Sequence, residues 1–152
     1  MREALCVFIL KRNGPIFMNQ NEKIPFEEDI IMEPQIVHFD ASGEFPSQER
    51  CHILESWNEG VDPALSIARA RVEPGITTKW HKLDGVEERY IIVEGEGVVS
   101  VGDMEPAEVA VGDVIIISSN TPQRIENKGD NDLIFYCICS PRYNQDLYLE
   151  LE

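Results

Sequence analysis

The sequence predicts an all-β protein, a sandwich or barrel of short strands behind an irregular N-terminal arm. Three observations carry this. From Leu65 onward, short runs rich in Val, Ile and Tyr are separated by Gly, Asp, Asn and Pro. The runs recur about every ten to twelve residues, the spacing of small β domains. No segment among them has the 3.6-residue period of a helix, so βαβ units are excluded.

In chain order, residues 1–31 read as an N-terminal extension. The apolar run Ala4–Leu10 is closed by Lys11 and Arg12 and lacks a small-residue cleavage site. It is short for a signal peptide and too short to span a bilayer, so a cytoplasmic protein is expected. Met18 and Met32 could each begin a shorter product. Residues 32–64 read as an arm, with edge strands at Gln35–Phe39 and Cys51–Leu54. Pro15, Pro25, Pro34 and Pro46 break every longer periodic stretch of the first sixty residues.

Residues 65–145 read as the barrel. Its strands are Leu65–Val72, Arg89–Glu94, Gly97–Val101, Val114–Ser118, Gln123–Asn127 and Leu133–Cys139. Turn signals separate them at Glu73-Pro74-Gly75, Gly95-Glu96-Gly97, Gly102-Asp103, Gly112-Asp113 and Lys128-Gly129-Asp130. The tail, residues 146–152, is a final strand or one helical turn.

The chain has 152 residues, enough for one domain with a sizeable core. Its 28 acidic and 13 basic residues give a net charge of -15. That field repels phosphate backbones and anionic lipids, so neither nucleic acid nor membrane is an expected partner. Cys6, Cys51, Cys137 and Cys139 form no CxxC pair and read as reduced, buried thiols.

Two spaced motifs carry the chemistry. The first runs Gly75, His81, Leu83, Glu88, Gly95; the second Gly112, Ser118, Asn120, Gln123, Asn127. Strand side chains alternate faces, so His81 and Leu83 point one way if that segment is extended. A hairpin through Asp84-Gly85 would then bring His81 across from Glu88. Gln123 opens another strand, with Ile125 on its face. Three such segments can aim His81, Glu88 and Gln123 at one interior point lined by Leu83, Ile92 and Ile125, the usual make-up of a ligand pocket.

These spacings resemble the two signature motifs of the cupin superfamily, over about Ser66 to Arg142. The resemblance implies an antiparallel jelly-roll barrel. It also implies a divalent metal held by three histidines and a glutamate. Here only His81 and Glu88 match that set. Leu83 stands at the second histidine position and Gln123 at the third, while Ser118 and Asn120 replace a proline and a glycine.

The remaining donor set, His81, Glu88 and Gln123, is harder than three imidazoles and suits Mn or Fe(II); Zn is the third candidate. Without a metal, Glu88 should bond to His81 or have a raised pKa. Either state serves acid–base chemistry. Tyr90 is an acid or orienting donor, or a core aromatic. Gln123 binds ligand or fills a hydrogen-bonding position. Arg69, with Arg71 on its face, binds an anionic substrate inside the barrel or faces solvent among acids. Asn127 is explained by turn chemistry. His38 and His52 have no motif context.

The expectation is a single small-molecule pocket in a homodimeric barrel. It acts as a metal-assisted sugar-isomerase-like or lyase-like enzyme, with His81, Glu88 and Tyr90 catalytic. The alternatives are a non-catalytic sensor or carrier without native metal, and an Fe(II) dioxygenase.

Overall fold

Alternation of apolar and polar side chains dictates the observed strands. In Glu87–Glu94 (β5), Glu88, Tyr90 and Ile92 are buried while their neighbours are not. The computed structural model describes residues 32–152; the expected extension 1–31 lies outside the described residues. Strands β1 (Phe45–Pro46), β2 (His52–Trp57), β3 (Ser66–Val72), β4 (His81–Leu83) and β5 are followed by β6 (Glu96–Val101), β7 (Ala107–Ala110) and β8 (Val114–Ile117). Then come β9 (Gln123–Glu126), β10 (Leu133–Ser140) and β11 (Tyr148–Glu150). Among the described residues the helical pieces are single 3-10 turns, Ala41–Gly43 and Gln145–Leu147.

The strands form two sheets, ordered β1-β2-β3-β10-β5-β8 and β11-β4-β9-β6-β7. Every pairing is antiparallel. Their inner faces share one core that includes Val72, Ile92, Ile125, Leu133 and Phe135. A smaller cluster of Leu83, Val86, Cys139 and Tyr148 sits apart from it. The chain passes from β5 in one sheet to β6 in the other through a turn at Gly95, whose φ is +78°; a Cβ there would lie 2.7 Å from the Asp132 carbonyl oxygen. Asn127 locks a loop: its amide donates to the Val72 and Asn131 carbonyls, and its oxygen accepts from Gly129 N–H. That is turn chemistry, as its sequence context implies.

The six expected strands from Leu65 onward are present to within two residues at each end. The structure differs elsewhere. Gln35–Phe39 pairs with no strand among the described residues, because β1 occupies the edge of β2. The tail holds both a 3-10 turn and a strand, and β11 joins the second sheet, so the barrel runs beyond residue 145. Asp84-Gly85 makes no hairpin. β4 pairs with β9 and β11, whereas β5 pairs with β8 and β10. The turn carries the chain from one sheet to the other, and His81 faces Glu88 across the barrel.

Candidate functional site

His81 and Gln123 are direct partners across β4 and β9. Both are buried, with 2% and 1% of their surface exposed. The His81 ring is fixed by its own backbone neighbourhood. Nδ1 lies 2.8 Å from the Lys79 carbonyl oxygen. A carbonyl only accepts, so Nδ1 carries the proton and Nε2 of the neutral ring presents a lone pair. The ring stacks on Tyr148, with centroids 5.1 Å apart.

Glu88 enters from the opposite sheet. The Gln123 amide nitrogen donates to its Oε2 at 2.5 Å and lies 3.4 Å from His81 Nε2. One NH₂ group thus cross-links two acceptors. The Gln123 oxygen is buried with no donor. Cys139 Sγ is 3.6 Å from Glu88 Oε1. Burial pushes the Glu88 carboxyl up to about 7; the Gln123 bond opposes this, the charge of Glu49 adds to it, and His81 and Cys139 oppose it weakly.

Glu49 is the residue that sequence reading missed. It lies in the β1–β2 loop, outside both motifs. Its amide N–H bonds Ser47 Oγ, and Lys79 N–H bonds its carbonyl, pinning the loop beside the start of β4. Its Oε2 comes within 3.9 Å of His81 Nε2. Burial raises its carboxyl to about 7, although a fifth of the side chain still reaches the surface. Nothing in the local sequence Ser47-Gln48-Glu49-Arg50 distinguishes this glutamate from a solvated one.

Glu49 and Glu88 both line a cavity of about 540 Å³. Its apolar wall includes Phe45, Ile53, Cys137 and Tyr143, and Glu55 and Arg142 also line it. This volume suits a small ligand. Cys51 is pushed by burial to about 12, and Cys137 and Cys139 are raised further, so all three thiols stay protonated at neutral pH.

Of the expected site residues, the structure brings His81, Glu88 and Gln123 together. Of these three only Glu88 lines the cavity, and the other expected residues are separated from it. Leu83 belongs to the cluster with Val86 and Tyr148, and Ile92 and Ile125 are core. Tyr90 packs on Phe135, with ring centroids 4.6 Å apart, and does not line the cavity. Arg69 is on the outer face of β3, where it pairs with Glu44 at 3.2 Å under the ring of Phe39. Inward positions of β3 are Ser66, Ala70 and Val72, so the odd-numbered arginines must point out.

A family model described as "Cupin domain" matches residues 68–139. An uncharacterized protein of Methanocaldococcus jannaschii is 41% identical over 81 residues, covering 53% of this chain and 64% of that protein. The match therefore spans less than two thirds of that relative. An oxalate-binding protein of Thermotoga maritima is 35% identical over 90 residues, covering 59% of this chain and 73% of that protein. Among solved structures, a conserved protein with a double-stranded β-helix domain from Klebsiella pneumoniae superposes with a TM-score of 0.64 at 15% identity. That superposition covers 78% of this chain and 99% of that one, a likeness of fold.

Proposed function

The chain belongs to the cupin superfamily, and from that premise we propose a small-molecule-binding cupin whose Glu49 and Glu88 run metal-free acid–base chemistry of isomerase-like or lyase-like type. Cupins commonly hold divalent metals, and the residues here do not fit one. Leu83 offers no lone pair. Gln123 turns an N–H donor, not its oxygen, toward His81 and Glu88. Among the described residues, no three His, Cys, Asp or Glu side chains gather as a ligand group. The dioxygenase reading needs such a group and is not carried forward.

The observation that carries the proposal is the pair of carboxyls at one cavity, each raised to about 7. Near neutral pH such a pair shares about one proton, so one member is an acid while the other is a base. The ionised carboxylate takes a proton from an acidic C–H or O–H of the ligand. The protonated one gives a proton to a neighbouring or departing oxygen, and the proton count is conserved. Gln123 and His81 act as positioning residues that hold Glu88.

A second reading, a ligand carrier without turnover, draws support from the relative named as oxalate-binding. The free thiols of Cys51, Cys137 and Cys139 fit a reducing compartment such as the cytoplasm. Among the described residues no helix is long and apolar enough to cross a membrane. A homodimer is proposed as the assembly.

The test is a carboxyl titration of ¹³C-labelled glutamates by NMR, assigned with Glu49→Gln and Glu88→Gln. Two carboxyls titrating near 7 support the acid–base reading. If both titrate in the ordinary carboxylate range, or if metal at one equivalent is lost on His81→Ala, the metal-free acid–base reading fails.

A further inference from the structure

Resting on that reading of the cavity, we propose that its ligand is a small organic cation, an ammonium group on a compact apolar body, received between Glu49 and Glu88. The charges around the cavity favour such a guest. Three carboxyl groups, Glu49, Glu55 and Glu88, line it against a single guanidinium, Arg142, and with one proton on the Glu49–Glu88 pair two of the three are still negative. That guanidinium is already engaged: its Nη1 donates to the Asn58 carbonyl at 3.0 Å and to Asn58 Oδ1 at 2.7 Å. The Tyr143 hydroxyl is likewise engaged, donating to Gln145 Oε1 at 3.0 Å.

The groups behind the cavity are also short of donors. His81 Nε2 presents a lone pair, and its Gln123 contact is 3.4 Å long. The Gln123 oxygen has no donor among the described residues, but Gln123 does not line the cavity, so it is Glu49, Glu55 and Glu88 that meet the guest. An incoming ammonium supplies three N–H donors and a positive charge to a site that holds acceptors and negative charge. The walls of Phe45, Ile53, Cys137 and Tyr143 suit its hydrocarbon part.

A small dianion such as oxalate meets the opposite situation. It would add two negative charges beside Glu49 and Glu88, in a buried region where like charges repel strongly. Among the described residues that line the cavity, no histidine trio or unengaged arginine offsets that repulsion. The ligand class therefore differs from that in the name of the oxalate-binding relative.

The probes are ethylammonium, ethanol and oxalate, each at matched ionic strength with NaCl, in EDTA at pH 7.5. Binding is read by thermal shift and isothermal calorimetry on the full chain. The expected result is a saturable rise in Tm with ethylammonium alone. Glu49→Gln and Glu88→Gln should each raise its half-saturating concentration at least fivefold. Glu108→Gln, an exposed site on β7, should leave it unchanged.

Four results overturn the proposal. Ethanol could match ethylammonium, oxalate could stabilise the protein in EDTA, or ethylammonium could do no more than NaCl. A stronger Tm rise with Mn²⁺ than with ethylammonium in chelator-free buffer would also overturn it. These outcomes leave the carboxyl titration untouched, so failure of the ligand class is distinguishable from failure of the acid–base reading.

Discussion

Gln123 bonds Glu88 through its amide nitrogen, and among the described residues it is the side chain that touches both halves of the candidate site, His81 and Glu88. A metal would be expected at such a junction in a cupin. Here an N–H group fills it, which turns a ligand cradle into a hydrogen-bonded pair of acceptors. The state of Glu88 therefore depends on burial and on Gln123, and both dependences can be measured.

Stability should fall as pH rises from about 4.5 to 8. Glu88 and Glu49 have folded carboxyls near 7, above their unfolded values. Within that window the native state binds more protons than the unfolded chain, so each added pH unit weakens it. The stabilising term is fully present below the ordinary carboxylate range and is lost through pH 7. The expected span is about 3 kcal/mol for Glu88. Urea unfolding from pH 4.5 to 8 checks it. Glu88→Gln should flatten the profile and be more stable than the parent at pH 8; an unchanged slope would refute the assignment.

Replacing Gln123 tests the junction directly. Gln123→Leu removes the donor and leaves Glu88 facing His81 Nε2 with nothing between them. The expected loss is about 2–3 kcal/mol of stability at pH 8, with a smaller loss at pH 5 where Glu88 is protonated. Gln123→His instead adds an imidazole to His81 and Glu88, giving two histidines and one carboxylate. It should bind Mn²⁺ or Zn²⁺ at least tenfold more tightly than the parent in calorimetric titration. Equal affinities would mean that Gln123 already serves as a metal ligand.

The Arg69 and Arg71 pair should prove separable from the cavity. Both share Glu44, with contacts of 3.2 and 2.7 Å, on the outer face of the β3 sheet. Their side chains are about four-fifths buried. Glu44→Gln should cost about 1 kcal/mol, in the range of partly exposed ion pairs. It should leave the half-saturating concentration of ethylammonium unchanged. A fivefold shift would place these arginines in the site after all.

The fold was legible because two-residue alternation and glycine turns leave a strong trace. Strands β3, β5, β6, β8, β9 and β10 follow from it. β7, Ala107–Ala110, was not legible, because Ala-Glu-Val-Ala has little β propensity and one buried residue. The depth of His81 and Glu88 was legible from spacing. Glu49 was not, since a loop between two edge strands reaches the site only through tertiary bonds such as Lys79 N–H to the Glu49 carbonyl. The error over Arg69 has the same origin. Spacing assigns two residues to one face of a strand but does not say which face meets the core, and here Ala70 and Val72 take it.

The outer edge of the first sheet should carry a subunit contact. Among the described residues β8 ends that sheet and pairs there with β5. Val114 and Ile116 on β8 are 57% and 70% exposed, and Val93 and Val111 beside them are 40% and 64% exposed. A free edge backed by apolar side chains invites pairing with a second copy, which would cover both at once. Ile116→Lys places a charge in that strip without touching the barrel interior, since Ile115 and Ile117 hold the inward positions. Light scattering should give twice the 17.3 kDa chain mass for the parent and a single mass for the variant. A parent that elutes as a monomer at high protein concentration would remove the dimer, and a dimer unaffected by Ile116→Lys would move its contact to another surface.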